Sequence, residues 1–468
     1  MKKMNWVIDT LDLYLSSKCN LKCEYCFISK NDKYYSLDDD IQNALKNNIF
    51  FEHAKKVIKD KKDLKKITFW GGEPVLGLPN FLLTIKNFTE YFPNLKNFSI
   101  SSNFTCNIEP LFELFKFLIN LETEIKFYLQ ISLDGPDYIN ERNRGIGTNK
   151  KIESNLIKLI EFLNNTDLKK LKIISAFKPT FTIDSVRTLI SENNSLDTNV
   201  SNLYNYFNYF SNLNKTTIDN CKKSDSFKME TNSMPSMMQP GQYTVEDGKL
   251  YALYIEALET LNIQNKKEKV LPLYKELSFF RRAFLNSQKV LSSNQRLGFC
   301  GIFRNKVAIT HNGMATGCHR GYPDVFKDYL NSLVDINDSV ERGVFLNDQS
   351  ILEKASDSFK FKIGDESDRD FIIKKIRNIY ESHNVHITNI SSLIYECSLS
   401  NQALKVYSED YKKLLQASIM IRIDTPCLYD NIMSTGSYFM QSTSKIHLYC
   451  NGAIEVMDNL YKIEGGIN

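Results

Sequence analysis

Through the first 210 residues, short apolar runs alternate with longer stretches in which apolar residues recur at helical spacing. Residues 11–15, 67–70, 98–101, 127–133 and 171–177 are short and rich in β-branched and aromatic side chains, which predicts strands, and a sixth is read around 203–210. Helical periodicity fills the intervals near 38–58, 79–91, 108–120, 150–164 and 182–193. Strand, crossover helix, strand is an order that demands a parallel sheet, because parallel neighbours cannot be joined by a tight turn. No glycine-rich dinucleotide fingerprint follows the first strand, which argues against a nucleotide-binding doubly wound half.

Beyond this region the pattern changes. Residues 211–242 are rich in Asn, Ser, Lys and Met without a sustained period and read as a linker. Helical patterns follow near 246–261 and 271–291, then a hairpin signal at Asn312-Gly313, a helical insert over 325–417 and a second hairpin signal at Asn451-Gly452. The Asn-Gly pairs of the two hairpins align, as a degenerate duplication or simply two hairpins of similar period would. The division expected is 1–210, 211–297 with linker and bridging helices, and 298–468.

A chain of 468 residues, 42% of them hydrophobic, supports a large core and two domains. With 59 basic against 55 acidic side chains the net charge is +4, which nominates no nucleic acid as partner. Asp9 and Asp12 interrupt any signal-peptide core, and no run reaches the roughly 18 apolar residues of a membrane span, so the sequence reads as cytoplasmic, without membrane attachment. In that compartment ten cysteines, three of them within eight residues, favour metal ligation over disulfides.

Those three are Cys19, Cys23 and Cys26, in the loop after the first strand. Chance placement of ten cysteines would give this spacing in about one chain of two hundred. Three thiolates at these offsets can cap three irons of a [4Fe–4S] cube and leave the fourth iron open. A zinc site would want a fourth Cys or His close by, and the nearest histidine is His53. Three further motifs stand at the ends of successive strands: Trp70-Gly71-Gly72-Glu73-Pro74, Ser101-Ser102-Asn103, and Ser132-Leu133-Asp134-Gly135-Pro136 with Arg144-Gly145 downstream. Each also has a purely structural reading, the first as a strand-to-helix turn opened by Pro74, and Asp134 as a turn former.

Taken in order, the four motifs resemble those of the radical S-adenosylmethionine (SAM) superfamily, in the peptide-modifying branch that carries a SPASM or twitch-like C-terminal domain. The resemblance covers about residues 10–210 and implies an α/β fold: a partial (β/α)₆ barrel with its site at the open carboxyl end of the strands, followed by a smaller α+β auxiliary iron–sulfur domain. It implies that SAM chelates the open iron through its amino and carboxylate groups. Tyr25 then lies beside adenine, Gly71, Gly72, Glu73 and Pro74 meet the ammonium, and Ser102 and Asn103 face the ribose or methionine end. Ser132, Asp134 and Arg144 complete the SAM ligands, an arginine fork suiting the methionine carboxylate. Phe104 stands where the family has glycine.

The same resemblance extends to Cys300, Gly313 and Cys318, whose spacing is the opening pattern of an auxiliary-cluster domain. The remaining thiols suffice for one auxiliary [4Fe–4S] cluster, with Cys427 nominated as third ligand and Cys450 as fourth, and Cys397 or a substrate-held site as alternatives. Cys106 reads as core packing, Cys221 as a linker thiol, His319 as a hairpin surface residue, and the lysines of 55–66 as a solvated helix end. The implied activity is reductive cleavage of SAM and use of the 5′-deoxyadenosyl radical on a ribosomally made peptide, with cross-link or thioether formation favoured. Epimerisation with Cys397 as thiol hydrogen donor, and sulfatase-type maturation, are alternatives, the latter weakened by missing ligands for a second auxiliary cluster. A zinc-stabilised, non-catalytic module is the alternative from another class. Expected partners are the peptide, a flavodoxin- or ferredoxin-type electron donor, and a separate leader-binding protein or the 325–417 insert in its place, since only 18 residues precede Cys19.

Overall fold

The computed structural model describes residues 7–26, 28, 35–121, 123–180, 182–223, 225–230, 245–268, 271, 305–317, 360–367, 369–372 and 374. Six strands, β1 (Thr10–Ser16), β2 (Lys66–Gly71), β3 (Asn97–Ser102), β4 (Ile125–Ile131), β5 (Leu171–Phe177) and β6 (Phe227–Glu230), pair side by side and all in parallel. Helices make every crossover. They are α1 (Asp38–Lys46) and α2 (Ile49–Val57), then α3 (Leu78–Leu82) and α4 (Ile85–Tyr91) after a 3₁₀ turn (Pro74–Gly77), then α5 (Glu109–Ile119). The last crossovers use α6 (Asp137–Arg144) with α7 (Thr148–Asn165), and α8 (Ile183–Leu189) with α9 (Leu196–Asp219). This is the open parallel sheet of a partial (β/α)₆ barrel, with every strand's carboxyl end on one rim.

Alternation along each strand divides the sheet into two faces. Leu11, Leu13, Ile67, Phe69, Phe98, Ile100, Phe127 and Ile173 lie on the face covered by helices and form the core, none more than 1% exposed. Burying one such side chain fully is worth about 2 kcal/mol. The other face carries Asp12, Tyr14 and Thr68, which are buried, and Trp70, Ser99, Tyr128 and Gln130, which are partly exposed.

The sixth strand is not at 203–210. Leu203, Tyr206, Phe207 and Phe210 are buried on one side of α9, at spacings of three and four, and Ser195 caps that helix by accepting the Thr198 amide at 3.2 Å. Aromatic richness suggests a strand there, but the helical period decides. The linker expected from 211 accordingly begins inside α9, Cys221 packs in the core as a buried thiol, and the strand that completes the sheet is β6.

After α10 (Val245–Glu268), the Asn312-Gly313 hairpin forms as expected between β7 (Lys306–Ile309) and β8 (Met314–Thr316). Its first strand continues the parallel sheet by pairing with β1. A further strand, β9 (Lys360–Lys362), pairs antiparallel with β8, so this part of the expected helical insert is extended. His53 on α2 donates from Nδ1 to the Thr310 carbonyl at 3.1 Å and holds the hairpin turn. Lys306 reaches the buried carboxylate of Asp12 at 3.3 Å across the β1–β7 pair. Losing the acid would strand a three-quarters-buried ammonium. Asp12→Ala is therefore expected to lower stability by about 1–3 kcal/mol, less than a fully buried pair costs. Hydrogen exchange checks it: the Val307 and Ile309 amides should exchange faster in the variant.

Candidate active site

The cysteine loop leaves β1 through Ser16 and Ser17, where the buried carboxylate of Asp38, first residue of α1, takes over its backbone. Asp38 Oδ1 accepts from the Ser16 hydroxyl at 2.7 Å and the Ser17 amide at 2.9 Å. Burial alone would raise its pKa, but the Ser16 hydroxyl, the Ser17 and Lys18 amides and the Lys18 ammonium outweigh it and hold the group below the usual carboxylate range.

Next to this stem the end of β2 presses in. Gly72 N donates to Ser16 O at 2.9 Å and Glu73 N to Lys18 O at 2.8 Å. A Cβ on Gly71 would collide with the Ser16 carbonyl oxygen, and one on Gly72 with the Lys18 and Ser17 carbonyl oxygens. These glycines thus admit the backbone of the cysteine loop, not only that of a ligand. Glu73 is fully buried and both its oxygens are engaged: Oε1 accepts from Val75 N at 3.1 Å and Oε2 from Asn103 N at 2.7 Å. Burial pushes its pKa up to about 7, against the Asn103 and Val75 amides, the Ser102 hydroxyl and the Arg144 charge, which pull it down. Pro74 opens the 3₁₀ turn and is buried.

At the end of β3 the chain turns through Phe104, whose φ of +57° is the left-handed value glycine adopts without cost. The buried phenylalanine is held in that geometry from both sides: Ser102 Oγ accepts its amide at 2.9 Å and Asn155 of α7 donates to its carbonyl at 3.0 Å. The turn aims Asn103 at the cysteine loop. Asn103 Nδ2 donates to Asn20 Oδ1 at 2.9 Å and to Cys19 Sγ at 3.4 Å.

The end of β4 supplies the densest cluster. Asp134 is fully buried, and its Oδ1 accepts from Arg144 Nη2 and from the Thr180 amide, both at 2.8 Å. Its Oδ2 accepts from the Tyr25 hydroxyl at 2.8 Å and Asn143 Nδ2 at 3.3 Å. Burial pushes the Tyr25 phenol well above its ordinary pKa, more than Arg144 lowers it, so it remains a donor. The Arg144 guanidinium lies 5.5 Å from the Tyr25 ring centroid, a cation–π contact. Burial would weaken its charge, but Asp134, Tyr25 and Cys23 more than compensate and raise its pKa further. Asn143 O accepts the Glu24 amide at 2.9 Å, which ties the middle of the cysteine loop to α6. Ser132 is half-buried beside this cluster, its amide on Ser102 O at 2.8 Å.

The structure therefore gathers Tyr25, Asp134, Arg144 and Cys23 on one side of the loop, and Cys19, Asn103, Ser102 and Glu73 on the other. Sequence reading missed Asp38, Asn143 and Thr180. Asp38 shows in the sequence only as one of three acids at a helix start, and Thr180 acts through its backbone, which leaves no sequence signal. Cys300, Cys318, Cys397, Cys427 and Cys450 lie outside the described residues.

Two observations bear on whether a cluster and SAM fit here. Burial pushes the Cys19 thiol up to about 12, with Glu73 and the other two loop thiols adding repulsion. Burial likewise lifts Cys23 to about 11, despite Arg144. As free thiols they are neutral at pH 7, so binding iron would release their protons. Among the described residues no three Cys, His, Asp or Glu side chains converge as the ligands of one ion would. A cubane needs no such convergence, since each thiolate takes a different iron. Second, Arg144 Nε is buried without a hydrogen-bond partner, a donor left for an acceptor that the protein itself does not supply. The residues fit both groups.

Residues 13–191 match the Radical SAM superfamily model. Over 147 residues it is 31% identical to a cysteine-type anaerobic sulfatase-maturating enzyme of Clostridium perfringens (strain 13 / Type A), a match covering 30% of this chain and 37% of that protein. The counterpart in Clostridium novyi (strain NT) is 28% identical over 188 residues, 38% of this chain and 43% of that one. The chain thus spans less than half the length of these relatives. Among solved structures, native anSMEcpe with bound AdoMet superposes with a TM-score of 0.37 at 20% identity, covering 66% of this chain and 74% of that one. Streptococcus suis SuiB bound to precursor peptide SuiA gives 0.29 at 15% identity, over 68% and 60% of the two chains. No helix among the described residues is long and apolar enough to cross a membrane.

Because Glu73 titrates at about 7 when folded and near 4.5 when unfolded, the fold favours its protonated form. Its contribution to stability is fully present below pH 4.5, falls as pH rises from 4.5 to about 7, and is constant above. The expected loss across that window is about 3 kcal/mol. Urea denaturation of the metal-free protein checks it: Glu73→Gln should flatten the pH dependence in that window, whatever it does to absolute stability. Gly72→Ala, by forcing the cysteine loop off the end of β2, should lower stability by about 2–3 kcal/mol in the same assay.

Proposed function

We propose that this chain is a cytoplasmic radical SAM peptide maturase. Cys19, Cys23 and Cys26 hold a [4Fe–4S] cluster with an open iron, and Arg144, Ser132, Tyr25 and the turns at 71–74 and 102–103 receive SAM. The observation that carries this reading is the Asp134 cluster. A buried arginine with an unassigned donor is fixed beside the cysteine loop by a carboxylate that also fixes the loop's own tyrosine. Bound together, the cluster and SAM supply one-electron reductive cleavage and a 5′-deoxyadenosyl radical.

The chain's residues then have separable tasks. Asp134 keeps Arg144 charged and pointed at the methionine carboxylate, and Tyr25 gives adenine an aromatic wall. Asn103 donates to Cys19 Sγ, which spreads thiolate charge and holds the loop in place. Glu73 positions the 71–74 turn, leaving its carbonyls to accept from the SAM ammonium. The inner face of the sheet receives the substrate, and the buried rim excludes water. We assign a ribosomally made peptide as substrate and cross-link or thioether formation as outcome. One auxiliary cluster on Cys300, Cys318, Cys427 and Cys450 would take the product electron or hold a substrate thiol. The electron donor is a flavodoxin- or ferredoxin-type protein. The curated relatives favour a second reading, maturation of a cysteine in a sulfatase-like protein.

Anaerobically reconstituted protein should be brown and form 5′-deoxyadenosine from SAM under reduction, and Cys23→Ala should abolish that product while keeping the fold. Chromatographic quantification of 5′-deoxyadenosine decides the matter, and formation at the wild-type rate in Cys23→Ala would overturn the assignment.

A further inference from the structure

The parallel register produces a pattern at the opposite end of the sheet from the cysteine loop. Partner positions run Lys306, Thr10, Lys66, Asn97, Lys126, Lys172 as one continuous row across five neighbouring strand pairs, at the amino ends of the strands. In-register partners in a parallel sheet share a face, and this row shares it with Tyr128 and Gln130, away from the helix-packed core. The placement has a direct check: the Lys66 ammonium sits 5.2 Å from the centroid of the Tyr128 ring, on that same face. Lys228, in register with Ile174, adds a fifth lysine one row nearer the site.

The acids within reach are fewer. Asp12 serves Lys306 at 3.3 Å and also acts on Lys66, Glu124 meets Lys172 at 3.6 Å through a pair more than half exposed, and Glu230 shares the exposed face of β6 with Lys228. Lys126 makes no ion pair among the described residues. A chain whose net charge is only +4 thus concentrates cations on one strip of its concave face. Solvation at an open sheet end accounts for single lysines there, but not for one lysine on each of four strands in a single row on the face opposite the helix-packed core.

We propose that this row is an anchoring subsite for a carboxylate of the substrate peptide. The proposal rests on the reading of the substrate as a peptide and adds its chemical class. From Gln130, one position short of the end of β4, down to Lys126 is about 13 Å at the usual rise of ~3.3 Å per residue. An extended peptide covers that distance in about four residues. The substrate therefore carries an acidic residue about four positions from the one that reacts, and the lysines hold it while the reactive residue stands at the strand ends.

The test uses the full chain and fluorescein-labelled hexaglutamate, read by fluorescence anisotropy at low ionic strength. The proposal expects Lys126→Glu/Lys172→Glu to weaken binding by about tenfold or more. Lys86→Glu/Lys116→Glu, the same charge change on the exposed faces of α4 and α5, should bind as the wild type does. Equal weakening in both variants would overturn the proposal, since net charge alone would then explain binding. Displacement of the probe by an oligothymidylate of equal charge at equal concentration would also overturn it, in favour of a general polyanion surface. 5′-Deoxyadenosine formation without substrate is the separating readout. Its retention in Lys126→Glu/Lys172→Glu alongside lost probe binding supports the subsite. Its absence in the wild type, with probe binding that depends on the row, removes the proposed function and leaves the acidic ligand of the row standing.

Discussion

The buried carboxylate of Asp134 is the constraint on which the rest of the site depends. It sits at the end of β4 and accepts from Arg144, Tyr25, Asn143 and the Thr180 amide. Those donors come from the cysteine loop, from α6 and from the segment after β5. A charge removed from water is tolerable only with such a set of partners, and withdrawing any one leaves another buried group unmatched. The cluster thereby ties the cysteine loop to the rim. Asp38 does the same for the loop's stem, and Asn103 for its first thiol.

The parallel sheet makes this possible. With all six strands running the same way, every motif at a strand end falls on the same rim, and close approach of the rims is limited only by side-chain bulk. Gly71 and Gly72 remove that bulk where β2 meets β1. Phe104 shows the opposite solution at β3, a large residue held at positive φ by hydrogen bonds from both neighbours and by burial of its ring. The same register that gathers the site also lines up the lysines at the other end.

Much of this was legible in the residues. Five strands and the helices between them follow from period and apolar content, and the cysteine spacing with its three companion motifs marks the rim. The misreading at 203–210 has a clear cause: tyrosine and phenylalanine favour strands by type, while their spacing places them on one side of α9. The role of Glu73 was only half visible. Its position in the motif points to the ligand, whereas burial and two backbone amides make it a brace. Thr180 was invisible because its contribution is a main-chain amide, and the lysine row because it exists only once five registers are known together.

The account stands or falls on whether Asp134 organises SAM binding through Arg144 and Tyr25. Calorimetric titration of SAM into anaerobically reconstituted Asp134→Asn, an isosteric change that removes the charge and turns one of the two accepting oxygens into a donor, tests this most directly. The account predicts affinity weaker by about tenfold or more with iron content unchanged, because the cysteines remain while the arginine loses its counter-charge. Wild-type affinity in that variant would contradict it.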